Sequence, residues 1–198
     1  EGRNITTGNY GGFDYTGRVE LLPFGAFAGK GDYFGADLKR EENPKLSLGV
    51  TYDYNDNASR QRGNTGSFLF STRTLSTVFA DMMFKFQGLS VMAEYAVKSA
   101  KGGPVVYTPV DGIEYFYTGS GANVQAGYLF MSNCEVSARF TSITHEVVIG
   151  EDDNSIYTLG VSKYLDGHNL KVQSDFSMIQ EGGGDATYMG RIQFELSF

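Results

Sequence analysis

What most constrains this chain is an alternation of apolar and polar residues with a period of two, sustained for about nine residues at a time and recurring to the last position. Segments of this kind cover 13–21, 46–54, 78–86, 89–97, 122–130, 136–140, 157–161, 170–178 and 188–198. Successive side chains of a strand point to opposite faces, so each segment reads as a strand with one apolar and one polar face. The charges obey the same rule. On the polar register stand seven bases, Arg18, Lys45, Lys85, Lys98, Arg139, Lys171 and Arg191, with eight acids, Asp14, Glu20, Asp53, Asp81, Glu94, Glu135, Asp175 and Glu195. The apolar register carries only Lys163, at a strand end from which a long side chain reaches an interface.

Alternation alone suits any half-buried sheet, so the placement of aromatic residues and the lengths of the connections decide between a soluble sheet and a membrane barrel. Phe84, Phe86, Tyr128, Phe130 and Phe198 lie at one end of the apolar register. At the other end lie Phe13, Tyr15, Tyr52, Tyr54, Tyr95, Phe140, Tyr157, Phe176 and Tyr188, with aliphatic or small residues between the two groups. Two such rings are the aromatic girdles of an outer-membrane barrel. The connections also alternate. Those at 87–88, 131–134 and 166–169 are tight, whereas 55–73, 99–121, 142–155 and 179–186 are long or polar. Short periplasmic turns and long extracellular loops produce this asymmetry. The expected fold is therefore all-β, a transmembrane antiparallel β-barrel in the bacterial outer membrane, bathed in outer-membrane lipid and lipopolysaccharide.

Composition narrows the classes further. Net charge is −7 over 198 residues, against the basic face of a nucleic-acid binder. A single cysteine, Cys134, allows neither an internal disulfide nor a cysteine-based zinc cluster, and no apolar run is long enough for a spanning helix. Outer-membrane barrels have an even strand number, and nine is odd. An odd number of strands is thus expected upstream, making this the C-terminal part of a larger barrel with 1–12 outside the cell. One periplasmic connection, 23–44, is long, and its second half, 36–42, has helix-forming composition before Pro44, so a helical turn is expected there.

The stretches GGFDYTGRVELLPFG (11–25), KGDYFGADLKREENPKLSLGVTYDYN (30–55), TVFADMMFKFQGLSVMAEY (77–95) and YTLGVSKYLDGHNLKVQSDFS (157–177) resemble the phosphate-selective porin O and P family in its Bacteroidota version. The closing strand, ending in Phe198, resembles the assembly signal of outer-membrane proteins. The resemblance implies a homotrimer of sixteen-stranded barrels that pass small anions or other small solutes passively. Nine strands here leave seven upstream, an odd number.

The pore-lining candidates are Arg18, Lys45, Lys85, Lys98, Arg139, Lys171, Arg191, Asp81, Glu94, Asp175 and Glu195, because rings of charge in a water-filled pore select ions. The polar register as a whole is balanced in sign, seven bases against eight acids, unlike the cationic constriction of an anion-selective channel. His145 and His168 fall in connections on opposite sides of the membrane, too far apart to share a metal, and 151–154 lacks the ligand spacing of a calcium loop. No nucleophile stands with a base in register, so no enzyme, cofactor or metal is expected. The functional expectation is a porin for passive diffusion, with a sealed barrel serving as a structural partner as the alternative.

Overall fold

The computed structural model describes residues 11–110 and 112–197. Nine strands form one antiparallel sheet in which every strand pairs with its sequence neighbours: β1 (Asp14–Leu21), β2 (Lys45–Arg60), β3 (Phe68–Phe86), β4 (Leu89–Ala100), β7 (Gly119–Leu129), β8 (Cys134–His145), β9 (Asn154–Asp166), β10 (Leu170–Glu181) and β11 (Thr187–Leu196). Between β4 and β7 a small separate hairpin is made by β5 (Val105–Tyr107) and β6 (Ile113–Tyr115). β1 and β11 are the two margins of the large sheet and do not pair with each other, so these residues form an open sheet rather than a closed barrel. Phe198, the expected assembly signal, lies outside the described residues.

The strands follow the alternation because β-branched and aromatic side chains fit the pleated surface and meet their cross-strand partners there. Registers such as Val50↔Ala80, Ala126↔Ala138 and Phe140↔Tyr157 keep the apolar series together across neighbouring strands. The paired rings of Phe140 and Tyr157 lie 4.9 Å apart, and those of Tyr128 and Phe130 5.1 Å apart. Tight turns hold the registers. Between β3 and β4, Gln87 and Gly88 both have positive φ, 47° and 90°, as a two-residue hairpin of the primed type requires.

Burial is inverted relative to a sheet packed on an apolar core. Val19, Leu159 and Phe194 of the apolar face are 76%, 65% and 78% exposed, whereas Ser47, Thr77, Ser90, Thr158 and Ser177 of the polar face are buried. The main buried apolar cluster sits at the long-loop end, where Val106 and Phe116 pack on Ala58, Leu69 and Leu75.

The loops differ from expectation in extent. The segment 55–73 is largely a β-hairpin, since β2 runs on to Arg60 and β3 starts at Phe68, with register shifts after Asn55 and Ala58. Strands likewise enter 99–121, 142–155 and 179–186, leaving shorter connections. These extensions carry polar residues on both faces and so break the alternation that marks the rest. The helical turn expected in 36–42 is also absent. A 3-10 turn occurs instead at Ala28–Tyr33, and the Asp37 carboxylate accepts the Glu41 and Gly88 backbone N–H groups at 3.0 and 2.8 Å. A side chain that binds the backbone this way fixes a turn in place of a helix.

Candidate functional site: the polar face of the sheet

The charged residues of the polar face sort into three kinds of partnership. The first is the ion pair along the sheet. Arg18 of β1 reaches over β2 to β3 and donates two hydrogen bonds to Asp81, at 2.6 and 2.8 Å, with Glu20 at 3.0 Å and Thr51 at 3.2 Å. Gly49 makes this crossing possible, because a Cβ there would collide with the guanidinium. On β10 and β11, Lys171 pairs with its register partner Glu195 at 3.0 Å and Arg191 with its register partner Asp175 at 3.1 Å. Glu94 accepts a hydrogen bond from Asn123 at 3.1 Å, and Asn123 accepts one from Thr141 at 2.9 Å.

The second kind is a tether. Lys45, Lys85 and Lys98 each donate to a backbone carbonyl of a segment lying over the polar face: Phe24 at 3.0 Å, Ala36 at 3.0 Å and Arg62 at 2.6 Å. The long connection between β1 and β2 thereby folds back across the tight-turn end of the sheet. Arg40 donates to the Phe130 carbonyl at 2.7 Å, Gln87 N–H to the Glu41 carbonyl at 2.9 Å, and the Phe34 ring stacks on His168 at 4.8 Å. The seam beneath it is charged as well as polar. Asp37, Glu41, Lys85 and Glu135 are all buried there, and Tyr164 donates to Glu135 at 2.7 Å.

At the other end the tip of the β2–β3 hairpin folds onto the same face. Asn64 donates to Asp14 at 2.8 Å, Asn55 donates to Asn64 at 3.2 Å, and the Tyr117 backbone N–H donates to the Gln61 carbonyl at 2.8 Å. The segment 99–121 packs beside this hairpin. Both ends of the polar face are therefore partly covered from within the chain. Between and beneath the covers lie open polar recesses, one of about 520 Å³ bounded by Tyr33, Phe34, Arg139, Lys171, Asp175 and Arg191.

Arg139 is the third kind. It is half-buried in that recess, and its guanidinium makes no hydrogen bond or ion pair with the described residues. The structure thus brings Arg139, Lys171, Arg191, Asp175 and Glu195 around one recess, sets Arg18, Asp81 and Glu94 around another, and takes Lys45, Lys85 and Lys98 away for structural use. His168, in the turn after β9, is held below its ordinary range, first by burial and then by Lys171 and Lys85. His145 binds its own loop through the Asp152 carbonyl, 3.2 Å away.

Sequence reasoning missed two residues on this face. Phe79 stands in the polar register and is exposed, and Thr118 is buried with a hydroxyl unpartnered among the described residues. The first was visible as an aromatic inside a polar series; the second had no sequence signal, since its burial depends on how the long loop packs.

Compared with protein-family models, with curated proteins and with solved structures, the chain matches none.

Proposed function

We propose that this sheet is part of the wall of an outer-membrane pore through which small solutes diffuse passively. The observation that carries the reading is the inverted burial: the apolar face, with its aromatic ends, is the exposed one, and the polar face holds the buried and covered groups. Lipid against the first face and water against the second satisfies both, as in an outer-membrane barrel. Closure then requires further strands to join the margins β1 and β11. The resemblance of the sequence to phosphate-selective porins supports sixteen strands in all, a trimer, and contact with lipopolysaccharide.

Selectivity in this reading rests on Arg139, because the other basic groups of the face already serve carboxylates or carbonyls. A free cation at the wall favours anions, phosphate among them. A second reading, a sealed barrel with a structural role, draws on the buried charged seam under 24–41, which fastens that segment across one end of the wall.

Single-channel conductance on natively extracted protein, with the reversal potential in a salt gradient, separates the two. Conductance in steps of three with an anion-side reversal supports the trimeric porin, and Arg139→Glu then moves the reversal toward cations. A folded but silent protein favours the sealed barrel.

A further inference from the structure

Phe79 breaks the pattern of the wall. It sits between Thr77 and Asp81 in the polar register of β3, yet it is 43% exposed. Among the described residues it is the exposed aromatic on the polar side of the paired strands, where the other aromatic, Tyr164, is buried. Its row across the sheet reads Thr51, Phe79, Ala96, Gly121. On the β4 and β7 side the neighbours are a methyl group and no side chain at all, so space remains beside the ring.

That space continues into two recesses that share Phe79, Ala96 and Gly121. One, of about 460 Å³, runs toward the folded hairpin tip and is lined by Asp53, Asn55, Thr77, Lys98 and Thr118. The other, of about 480 Å³, is lined by Arg18, Asp81, Glu94 and Asn123. Thr118 is only 3% exposed, and its hydroxyl oxygen has no hydrogen-bond partner among the described residues, although buried groups of this kind are normally paired.

We propose that this recess binds a free saccharide, with the Phe79 ring against the C–H face of a pyranose and the surrounding carboxylates, amides and hydroxyls along its hydroxyl edge. The inference rests on the polar face being the wall of a solute path. The chemistry selects a neutral polyhydroxylated ligand over the two obvious competitors. An anion would meet Asp14 and Asp53 in one recess and Asp81 and Glu94 in the other, while Arg18 is held by Asp81 and Glu20, Lys98 by the Arg62 carbonyl, and the Arg62 guanidinium lies over the Tyr117 ring. A wholly apolar solute would strip water from Asp53, Glu94 and Asn123 and return nothing. An apolar platform ringed by a few placed polar groups is the usual build of a small-molecule site.

The test uses the whole chain folded in detergent micelles, with maltotetraose as the probe and a polyethylene glycol of equal size as the control. Binding is read by saturation-transfer NMR and titration calorimetry, and in bilayers by interruption of the current. The expected result is binding of the sugar and not of the polyether. Phe79→Ala should weaken it about tenfold, Phe79→Tyr should retain it, and Gly121→Val should weaken it by filling the open side. Gln193→Ala, outside both recesses, should leave it unchanged. Equal behaviour of sugar and polyether, or sugar binding indifferent to Phe79→Ala and Gly121→Val, overturns the proposal. Sugar binding in micelles without channel current keeps the site and removes the pore.

Discussion

At Gly49 the absence of a side chain lets the Arg18 guanidinium cross from β1 to β3 and clasp Asp81 with two bonds. A methyl group at this position displaces that fork, so Gly49→Ala should separate the pair while leaving the β2 register intact. The pair is partly exposed and its worth to stability is small, about 1 kcal/mol or less. The informative readout is therefore conductance or reversal potential, which should respond to the freed charges while the denaturation midpoint hardly moves. His168 offers a second residue-scale test. Burial holds its titration below the ordinary imidazole range, so the folded protein resists a proton that the unfolded chain accepts. Stability associated with this group is complete above pH about 6.5 and declines as pH falls toward the depressed folded value. An NMR titration of the imidazole should show its midpoint below 6.5; a midpoint at or above that value would contradict the packing of Phe34 and Tyr164 around the ring.

Among the elements, the nine strands were legible in sequence because alternation is imposed by the backbone itself and needs no knowledge of what lies across the sheet. The covering segments were not. Nothing periodic marks 24–41 as lying over Lys85, and the helix-favouring composition of 36–42 lost to one carboxylate, Asp37, that takes the amides of Glu41 and of distant Gly88. For the same reason the seven bases looked alike in sequence, whereas three of them prove to be tethers and only Arg139 is free. The seam gives a clear element-scale prediction. Lys85→Met removes the buried cation that faces buried Asp37, Glu41 and Glu135, and an uncompensated buried charge costs about 3–5 kcal/mol. The expected outcome is release of 24–41, seen as raised conductance and new protease sensitivity in that segment; unchanged values would mean that the segment is held by other contacts. At the turn beneath it, Gly88→Ala should destabilise the β3–β4 hairpin, because φ is 90° and a Cβ would lie 2.7 Å from the Leu129 carbonyl oxygen.

On the scale of the whole molecule, the two faces predict opposite tolerance. Leu159→Arg places a charge on the exposed apolar face, and in a bilayer that substitution is expected to cost about 2–4 kcal/mol near the midplane. Gln193→Arg, on the polar face, should fold normally and alter only ion preference. Folding into vesicles followed by denaturant titration tests the contrast, and equal effects of the two variants would argue against a lipid-facing apolar side.

The lysine tethers have a consequence for how such a wall can change. Each grips a main-chain carbonyl, a group present in every amino acid, so the grip is blind to the identity of the residue held. In a saturation library, position 24, whose side chain is exposed, and position 62 should accept most substitutions, while positions 45 and 98 should not. In the proposed pore the inner lining can then be rewritten residue by residue, altering what passes, with its anchorage to the sheet preserved.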